Sequence, residues 1–342
     1  MAEVVERRER VTFREVARRA MRYENATLGI ILAAIMAGFA GATGGKTIRI
    51  DNLKMVLVRG STMGIAGIGQ AFTILTAGID LSPAGVAFGT SAIGASMMTT
   101  QMWQNKFFSY PVPIYVGIPL MMLFGVGFGA ISGLLISRIG IPPLIATLGV
   151  WQIAYGTGFL VTGGFTITRM VKPLTFFGQG FLFTQFFRGF PVAGIVWIVV
   201  GIIVYFVVHH TSYGRAVFAT GGNPVMAWLS GVNVKNTQLS VYIISAVLAT
   251  LGGLIRLARV MSLSESSYIG LELQSIASAV VGGTSLAGGK GNILGVVIGG
   301  LIISVILNGL TVLNADPFTE SMVLGLLIVA AVGIDFWRRG GR

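Results

Sequence analysis

Two glycine-rich segments come close to the phosphate-binding pattern GxxxxGK followed by Ser or Thr. The first, residues 40–47, reads AGATGGKT, but alanine stands at its first glycine position and it follows an apolar run instead of a strand. The second surrounds Lys290 and reads TSLAGGKG, with Thr284 at the first glycine position and Gly291 in place of Ser or Thr. Neither segment fits, so the sequence predicts no ATP site in this chain.

The residues needed for other kinds of catalysis are missing or badly spaced. The chain has no cysteine, which excludes a thiol nucleophile, a thiolate metal site and a disulfide. His209 and His210 are adjacent, with no third histidine and no HExxH spacing for a metal. No GxSxG serine motif is present, and the twelve carboxylates lie mostly near the termini or at loop edges. We therefore expect a protein that is not an enzyme and binds no metal or cofactor itself.

Ionisable residues inside or beside apolar runs are functional candidates, because a charge in the membrane is costly. Asp80 precedes Ser82 and Pro83, a pair typical of a helix N-cap and first turn, which favours a structural role for Asp80. The other candidates are Arg59, Arg256, Arg259 and Glu272.

Arg256 and Arg259 are one helical turn apart near the end of an apolar run. In that position an arginine can extend to the membrane interface or pair with a nearby acid, here Glu265 or Glu272. The sequence therefore favours a structural or partner-docking role for the two arginines over substrate binding.

The whole chain has the composition of a membrane protein, since 54% of its 342 residues are apolar and 11% are charged. A transmembrane helix needs about 20 mostly apolar residues. Two candidate runs are weak, because one is short and one carries Arg59 and Gln70. We predict an all-α polytopic membrane protein with about ten transmembrane helices, from the runs 26–42, 55–77, 83–100, 113–137, 144–162, 192–208, 239–257, 273–286, 293–313 and 319–337.

The net charge of +12 is concentrated at the two ends of the chain, in residues 7–22 and 338–342. Positive residues that flank membrane spans are retained on the cytoplasmic side, which explains the charge without nucleic acid. We predict a basic cytoplasmic segment, residues 1–24, and a single transmembrane domain, residues 25–342, with both termini cytoplasmic. On this topology the loop 209–238 is cytoplasmic and the loop 163–191 is outside.

Two sets of glycines recur at every fourth residue and so predict close helix packing. Small residues at this spacing lie along one helix face and let two backbones approach each other. The alternative is that glycine is simply common in membrane helices, which explains an isolated pair better than two sets in phase. The predicted packing residues are Gly125, Gly129 and Gly133, and Gly291, Gly295 and Gly299.

Several separated motifs resemble one family of membrane proteins in their order along the chain. They include ILTAGIDLSPAGVAFG, IPPLIATLGVWQIAYGTGFLVTGG, TSYGRAVFATGGNPVMAWLSGVNV and a later segment containing GGTSLAGGKGN. Together they resemble the permease subunits of ABC-type monosaccharide importers, the ribose, xylose, arabinose and galactoside group. The resemblance covers about residues 58–337.

This resemblance implies a multi-pass protein of a bacterial or archaeal plasma membrane that imports a simple sugar. It implies as partners a second permease copy or a paralogue, two cytoplasmic ATP-binding domains that hold ATP and Mg, and an extracytoplasmic sugar-binding protein. The family's cytoplasmic loop forms a short coupling helix that contacts the ATPase. Carried onto this chain, the coupling residues are Gly221, Gly222, Asn223, Pro224, Ala227, Ser230 and Gly231.

The residue types of the coupling segment agree with a short helix. Asn223 suits an N-cap, Pro224 suits the first helical position, and Gly231 can adopt the left-handed turn that ends a helix. The family often has paired alanines where this chain has Met226, Ala227 and Trp228. Two other functions stay open: an ABC permease for nucleosides or branched-chain amino acids, and a secondary transporter that works alone.

A pathway for a neutral sugar should be lined by small, hydroxyl, amide and aromatic groups, because a permanent unpaired charge there is costly. Two segments, GIDLSPAGVAFG and GTSLAGGKGNILGVVIGG, each pass from a glycine turn into a small-residue helix, and the pathway is predicted between these pseudo-repeated halves. Alternatively, the hydroxyls bond to their own helices. The predicted lining residues are Gln70, Thr73, Thr76, Ser91, Ser275 and Ser278, with Phe72 and Phe88 as gates.

Overall fold

The computed structural model describes residues 24–103, 106, 108–185 and 189–338. The predicted basic segment 1–24 lies outside these residues except for its last position. The described chain is mostly helical, with one hairpin of two short strands, β1 (Phe181–Leu182) and β2 (Phe190–Pro191). Its thirteen α-helices are α1 (Glu24–Ala42), α2 (Ile50–Leu75), α3 (Pro83–Met98), α4 (Ile114–Leu134), α5 (Pro143–Thr162), α6 (Thr175–Gln179), α7 (Val192–His210), α8 (Ser212–Gly222), α9 (Pro224–Leu229), α10 (Val234–Val260), α11 (Leu271–Val281), α12 (Ile293–Val312) and α13 (Pro317–Arg338).

Each of the ten predicted apolar runs coincides with one of these helices, which confirms the predicted polytopic helical fold. Six helices in the described chain are long and apolar enough to cross a membrane: α1, α4 with its π-helical continuation Leu135–Ile139, α5, α7, α10 and α12. The apolar part of α13 is shorter. At 1.5 Å per residue, the 11 residues of α11 extend about 16 Å, half of the hydrocarbon thickness, as expected for the weak run 273–286.

The loops divide between two ends of the bundle. At one end, called the α9 end, the loops 76–82, 140–142, 211–233 and 282–292 meet, and Leu75 O accepts a 2.9 Å hydrogen bond from Gly289 N. At the opposite end, Ile167 pairs with Leu263 and Thr99 pairs with Met170. The loops 163–191 and 209–238 therefore lie at opposite ends of the protein.

Helices α2 and α10 form the centre of the bundle, and every residue of α2 from Gly60 to Leu75 is buried. Helix α4 packs on α10 along Gly125, Gly129 and Gly133. A Cβ atom on Gly129 would lie 2.6 Å from Ile243 Cα, closer than a real contact, so the two backbones touch along this face.

The second predicted glycine set differs from its expected geometry. Gly291 lies in the loop before α12, because the helix begins only after Asn292, whose side chain accepts a hydrogen bond from Leu294 N. Gly295 and Gly299 are on α12 and contact α11 and the turn after it. A Cβ atom on Gly295 would lie 2.1 Å from Gly282 O. The close contact therefore involves two glycines of the set on one helix instead of three.

Candidate functional site

The loop at the α9 end forms a short helix whose start and end follow from its sequence. Asn223 Oδ1 accepts hydrogen bonds of 3.0 Å from the backbone N atoms of Val225 and Met226. Pro224 occupies the first helical position, where no backbone N–H is needed. Gly231 adopts φ 83° and its N donates to Trp228 O, which stops the helix. The predicted helix 224–230 is thus present as α9, and its docking role stays a prediction.

One face of α9 is strongly apolar and open to solvent. Four large side chains, Val225, Met226, Trp228 and Leu229, are 58% to 68% exposed, and together they are called the α9 patch. Ala227 is only 4% exposed and faces the protein's own core. The expectation that Ala227 itself meets a partner is therefore wrong, because its methyl group is covered within the chain.

Glycines let α8, the helix that precedes α9, pack directly against the end of α2. A Cβ atom on Gly221 would lie 1.7 Å from Leu75 O, so only glycine allows α8 to approach the end of α2. Gly289 N donates to the same carbonyl oxygen, and Gly288 is in contact with Ala77. The segment that resembled a phosphate loop therefore packs between α2 and α8. This contact among the end of α8, the end of α2 with Ala77, and the loop 282–292 is called the glycine junction.

Asp80 ties the loop after α2 to α10. Its Oδ1 accepts hydrogen bonds from Ser82 N at 2.8 Å and Ser82 Oγ at 2.6 Å, and its Oδ2 accepts one from Ser245 Oγ at 2.7 Å. Ser82 occupies the N-cap position of α3, as predicted, but its side chain makes no capping hydrogen bond. Pro83 does occupy the first helical position. The buried carboxylate thus has a structural function at the α9 end.

The predicted pathway residues are all buried, and most of their hydroxyls bond to their own helices. Thr73 Oγ1 donates to Gln70 O at 2.9 Å, and Ser278 Oγ donates to Gln274 O at 2.8 Å. Thr76 and Ser275 bond in the same way. This arrangement agrees with the structural alternative for these hydroxyls.

Two of the predicted pathway residues have buried polar side-chain atoms with no hydrogen-bond partner in the described part of the chain. Both polar side-chain atoms of Gln70, and the hydroxyl of Ser91, are buried without a hydrogen-bond partner in the described part of the chain. Such groups cost free energy unless something satisfies them. The Ser91 hydroxyl also lies beside the Tyr268 hydroxyl, so Gln70 remains the best candidate of the predicted set for contact with a solute.

The two predicted gates belong to separate clusters. Phe88 packs against Tyr155, Phe159 and Tyr268, with ring centroids 5.2 to 5.8 Å apart. Phe72 is 6.4 Å from Tyr213 of α8, near the α9 end. The two rings therefore lie in different hydrophobic clusters, and their role as gates stays a prediction.

Comparison with known proteins identifies the family. A family model described as the branched-chain amino acid transport system / permease component matches residues 52–332. The chain belongs to this family. No solved structure matches it.

Three relatives of the chain are sugar import permeases by name. A fructose import permease protein of Rhizobium meliloti is 34% identical over 91% of this chain and 84% of the relative. A D-allose transport system permease protein of Escherichia coli is 36% identical over 89% of each chain. A ribose import permease protein of Escherichia coli is 33% identical over 84% of this chain and 86% of the relative. The predicted resemblance to ABC sugar importer permeases is confirmed.

Sequence reasoning did not predict that α9 exposes the four side chains of the α9 patch and buries Ala227 between them. The signal was present in the sequence, because four large apolar residues surround one alanine in a polar loop. In a helix of six residues only one side can face the core, and the smallest residue fits the closest contact.

Proposed function

We propose that this chain is the membrane-spanning subunit of an ATP-driven importer for a monosaccharide. The names of the relatives support a sugar as the substrate. On this proposal, separate subunits bind and hydrolyse ATP with Mg, a second permease copy or paralogue completes the pathway, and an outer binding protein delivers the sugar. The α9 end then faces the cytoplasm of a bacterial or archaeal cell, with both termini on the same side.

The observation that carries this proposal is the α9 patch. Burying one large apolar side chain contributes about 1.5–3 kcal/mol, so four exposed together on a rigid helix favour a protein partner. The patch lies on a polar loop outside the spanning helices, which argues against lipid as its main contact. The sequence of this chain contains no phosphate loop, so an ATP-driven importer would need a separate ATPase subunit. The α9 patch offers that subunit a surface on which to dock.

The glycine junction gives a physical route from α9 to the helices of the bundle. A shift of α9 should move α8 as well, since Asn223 is the single residue between the two helices. Helix α8 is in direct backbone contact with the end of α2 and with the turn before α12. Tightly packed contacts transmit displacement because they cannot deform continuously. We infer that ATP-driven movement of the partner changes the packing of α2, α11 and α12.

The alternative of a secondary transporter accounts for the spans but gives the α9 patch no function. An ABC permease for nucleosides or branched-chain amino acids would use the same patch, and only substrate assays separate it from a sugar permease. The three relatives described above are named for sugars, which favours the sugar reading.

Substitution of Trp228 tests the proposal directly. Trp228→Ser removes the largest side chain of the α9 patch without altering the helix caps. We expect loss of co-purification with the ATPase subunits and loss of substrate-stimulated ATP hydrolysis. Phe165→Ser is the matched control, since Phe165 is similarly exposed but lies at the opposite end. Equal ATPase binding by both variants would contradict the proposal.

A further inference from the structure

The surface of the α9 end carries charges of one sign. Arg215 of α8 and Lys290 of the loop before α12 are exposed. Lys235 in the first turn of α10 and Arg138 in the π-helical continuation of α4 are exposed as well. These four cations are called the basic rim. In the four loops of this end, all of which the structure describes, the one carboxylate is Asp80, which is buried.

Lys290 and Arg215 lie on the side of α9 where α8 ends. A Cβ atom on Gly289 would lie 2.8 Å from Gly222 Cα, so the backbone next to Lys290 touches the last residue of α8. Arg215 is about two turns before Gly222 on the same helix, and both residues are exposed. Residues at this spacing share one helix face, which here leads to the start of α9. The lysine of the segment that resembled a phosphate loop therefore lies beside the proposed docking helix.

Lys235 and Arg138 lie on the side of α9 where α10 begins. The turn after α9 is held against this helix, because Val232 N donates to Ala227 O at 3.0 Å. Helix α10 follows this turn directly, with Lys235 as its second residue. Arg138 Nη2 donates to Asn236 Oδ1 at 2.5 Å, which places the guanidinium beside the first turn of α10. Neither cation pairs with a carboxylate in the described chain, so both keep their charge for a partner.

The opposite end exposes charges of both signs. Asp51 is exposed there close in sequence to the exposed cations Lys46 and Arg49. Asp316 is exposed at the same end, directly before α13. Acids are thus accepted on the exposed loops of this chain in general. The lack of exposed acids in the four loops of the α9 end is a property of that end.

Membrane orientation explains the cations of the basic rim but not the lack of acids beside them. Orientation follows the Lys and Arg residues near the ends of the spans, and Asp and Glu contribute little to it. Acids could therefore stand in these loops without reversing the topology. Without them, the surface around α9 attracts one sign of charge. Complementary charges across an interface steer two proteins together and fix their register.

We propose that the ATPase partner receives α9 in an apolar cleft edged by carboxylates, and that the basic rim guides the partner onto the α9 patch. The proposal rests on the proposed function and specifies the surface chemistry of the partner. The α9 patch supplies the buried centre of the contact, and the four cations lie at its wet edge. An apolar centre with a polar rim is the usual construction of a protein interface. Rim charges act mainly on the association rate and its salt dependence, whereas the buried centre governs dissociation.

Anionic lipid headgroups also attract Lys and Arg next to a membrane. The position of two rim cations favours the protein partner. Arg215 belongs to α8, which is not one of the helices long and apolar enough to cross a membrane, and Lys290 is held against the end of the same helix. Both cations are thus attached to the loop that presents the α9 patch. Lipid binding is the alternative that the experiment must separate.

The test measures how fast purified ATPase subunits bind to and leave the full-length chain in nanodiscs of phosphatidylcholine, which contain no anionic lipid. One variant combines Arg215→Gln, Lys235→Gln and Lys290→Gln, which removes three charges and leaves the helix caps and the glycines intact. At an ionic strength of about 0.05 M, we expect association to slow by about tenfold and dissociation to change by less than about twofold. Raising the ionic strength to about 0.5 M should slow the parent to the rate of the variant, because salt screens exposed charges.

The matched control combines Lys46→Gln, Arg49→Gln and Arg169→Gln, which removes three exposed cations from the opposite end. It should bind the ATPase subunits at the rate of the parent. Equal association rates for the parent and the rim variant, or a parent rate that salt does not change, would overturn the proposal. If the rim variant associates normally but loses a thermal shift that phosphatidylglycerol nanodiscs give the parent, the cations bind lipid and the proposal is overturned too.

This result and the test of the proposed function can be told apart. If the parent binds no ATPase subunit at any ionic strength, the proposed function itself fails. If the parent binds and Trp228→Ser abolishes binding, but salt and the rim variant have no effect, the proposed function stands and the basic rim has no part in docking.

Discussion

The two ends of the molecule have opposite construction. The α9 end is tightly locked, with glycine backbones in contact at the glycine junction and a capped helix that presents apolar side chains. The opposite end has the long loop 163–191 and an open cleft of about 550 Å³ whose wall includes Asp51, Lys54 and Arg259. An exposed apolar surface on a closely packed end suits a protein partner. On the proposed function, the ATPase subunits act on the α9 end.

The largest expected effect concerns the rigidity of the α9 end. Gly221→Ala would place a methyl carbon 1.7 Å from Leu75 O and must force α8 away from α2. We expect the free energy of unfolding to fall by about 1–3 kcal/mol, with loss of substrate-stimulated ATP hydrolysis. The measurement is chemical denaturation together with ATPase activity of the assembled complex.

The neighbouring glycine supplies the control for this substitution. A Cβ atom on Gly222 would meet nothing within 4 Å, so Gly222→Ala should keep both stability and coupling. If the two variants behave alike, the glycine junction does not control the α9 end.

A medium effect is expected from removing a helix cap at each end. Asn223 caps α9, and Asp316 caps α13 at the opposite end by accepting hydrogen bonds from Phe318 N and Thr319 N. Hydrogen bonds from Thr319 also hold the pKa of the Asp316 carboxyl below its usual value. Asn223→Ala should cost about 1 kcal/mol of stability, and Asp316→Ala should also lower stability.

Only Asn223→Ala should weaken ATPase binding, because only α9 carries the patch. Pull-down of the ATPase subunits by each variant measures this difference. Equal weakening by Asp316→Ala would show that general destabilisation, and not the position of α9, governs the contact.

The smallest effect is expected for Thr73, whose hydroxyl bonds to Gln70 O within the same helix. Thr73→Val keeps the shape of the side chain and removes an intrahelical bond of about 1 kcal/mol. Sugar uptake by the assembled transporter should therefore change by less than about twofold. A loss of uptake with retained ATPase binding would contradict this expectation and return the Thr73 hydroxyl to the predicted pathway.

Local signals in the sequence were sufficient for most of the helices and for the start of α9. Each of the ten apolar runs predicts a helix, and Asn223 and Pro224 predict where α9 begins, because these effects act within a few residues. The spacing of Gly291, Gly295 and Gly299 was misread, since glycine spacing alone does not show where a helix starts. Asn292, a good N-cap, was the better signal for the start of α12.

Contacts between distant residues could not be predicted in this way. Leu75 and Gly289 are joined by a backbone hydrogen bond across more than 200 positions, and no local pattern predicts it. The position of Phe88 among Tyr155, Phe159 and Tyr268 also depends on how α3 packs against α5.

Reconstituted uptake tests the central claim most directly. Proteoliposomes containing the permease with its ATPase subunits and binding protein should accumulate labelled solute only when ATP is supplied on the α9 side. Vesicles with the permease alone, or with Trp228→Ser in the complex, should accumulate none above background. Accumulation by the permease alone under an ion gradient, or full ATP-driven uptake by the Trp228→Ser complex, would contradict the account.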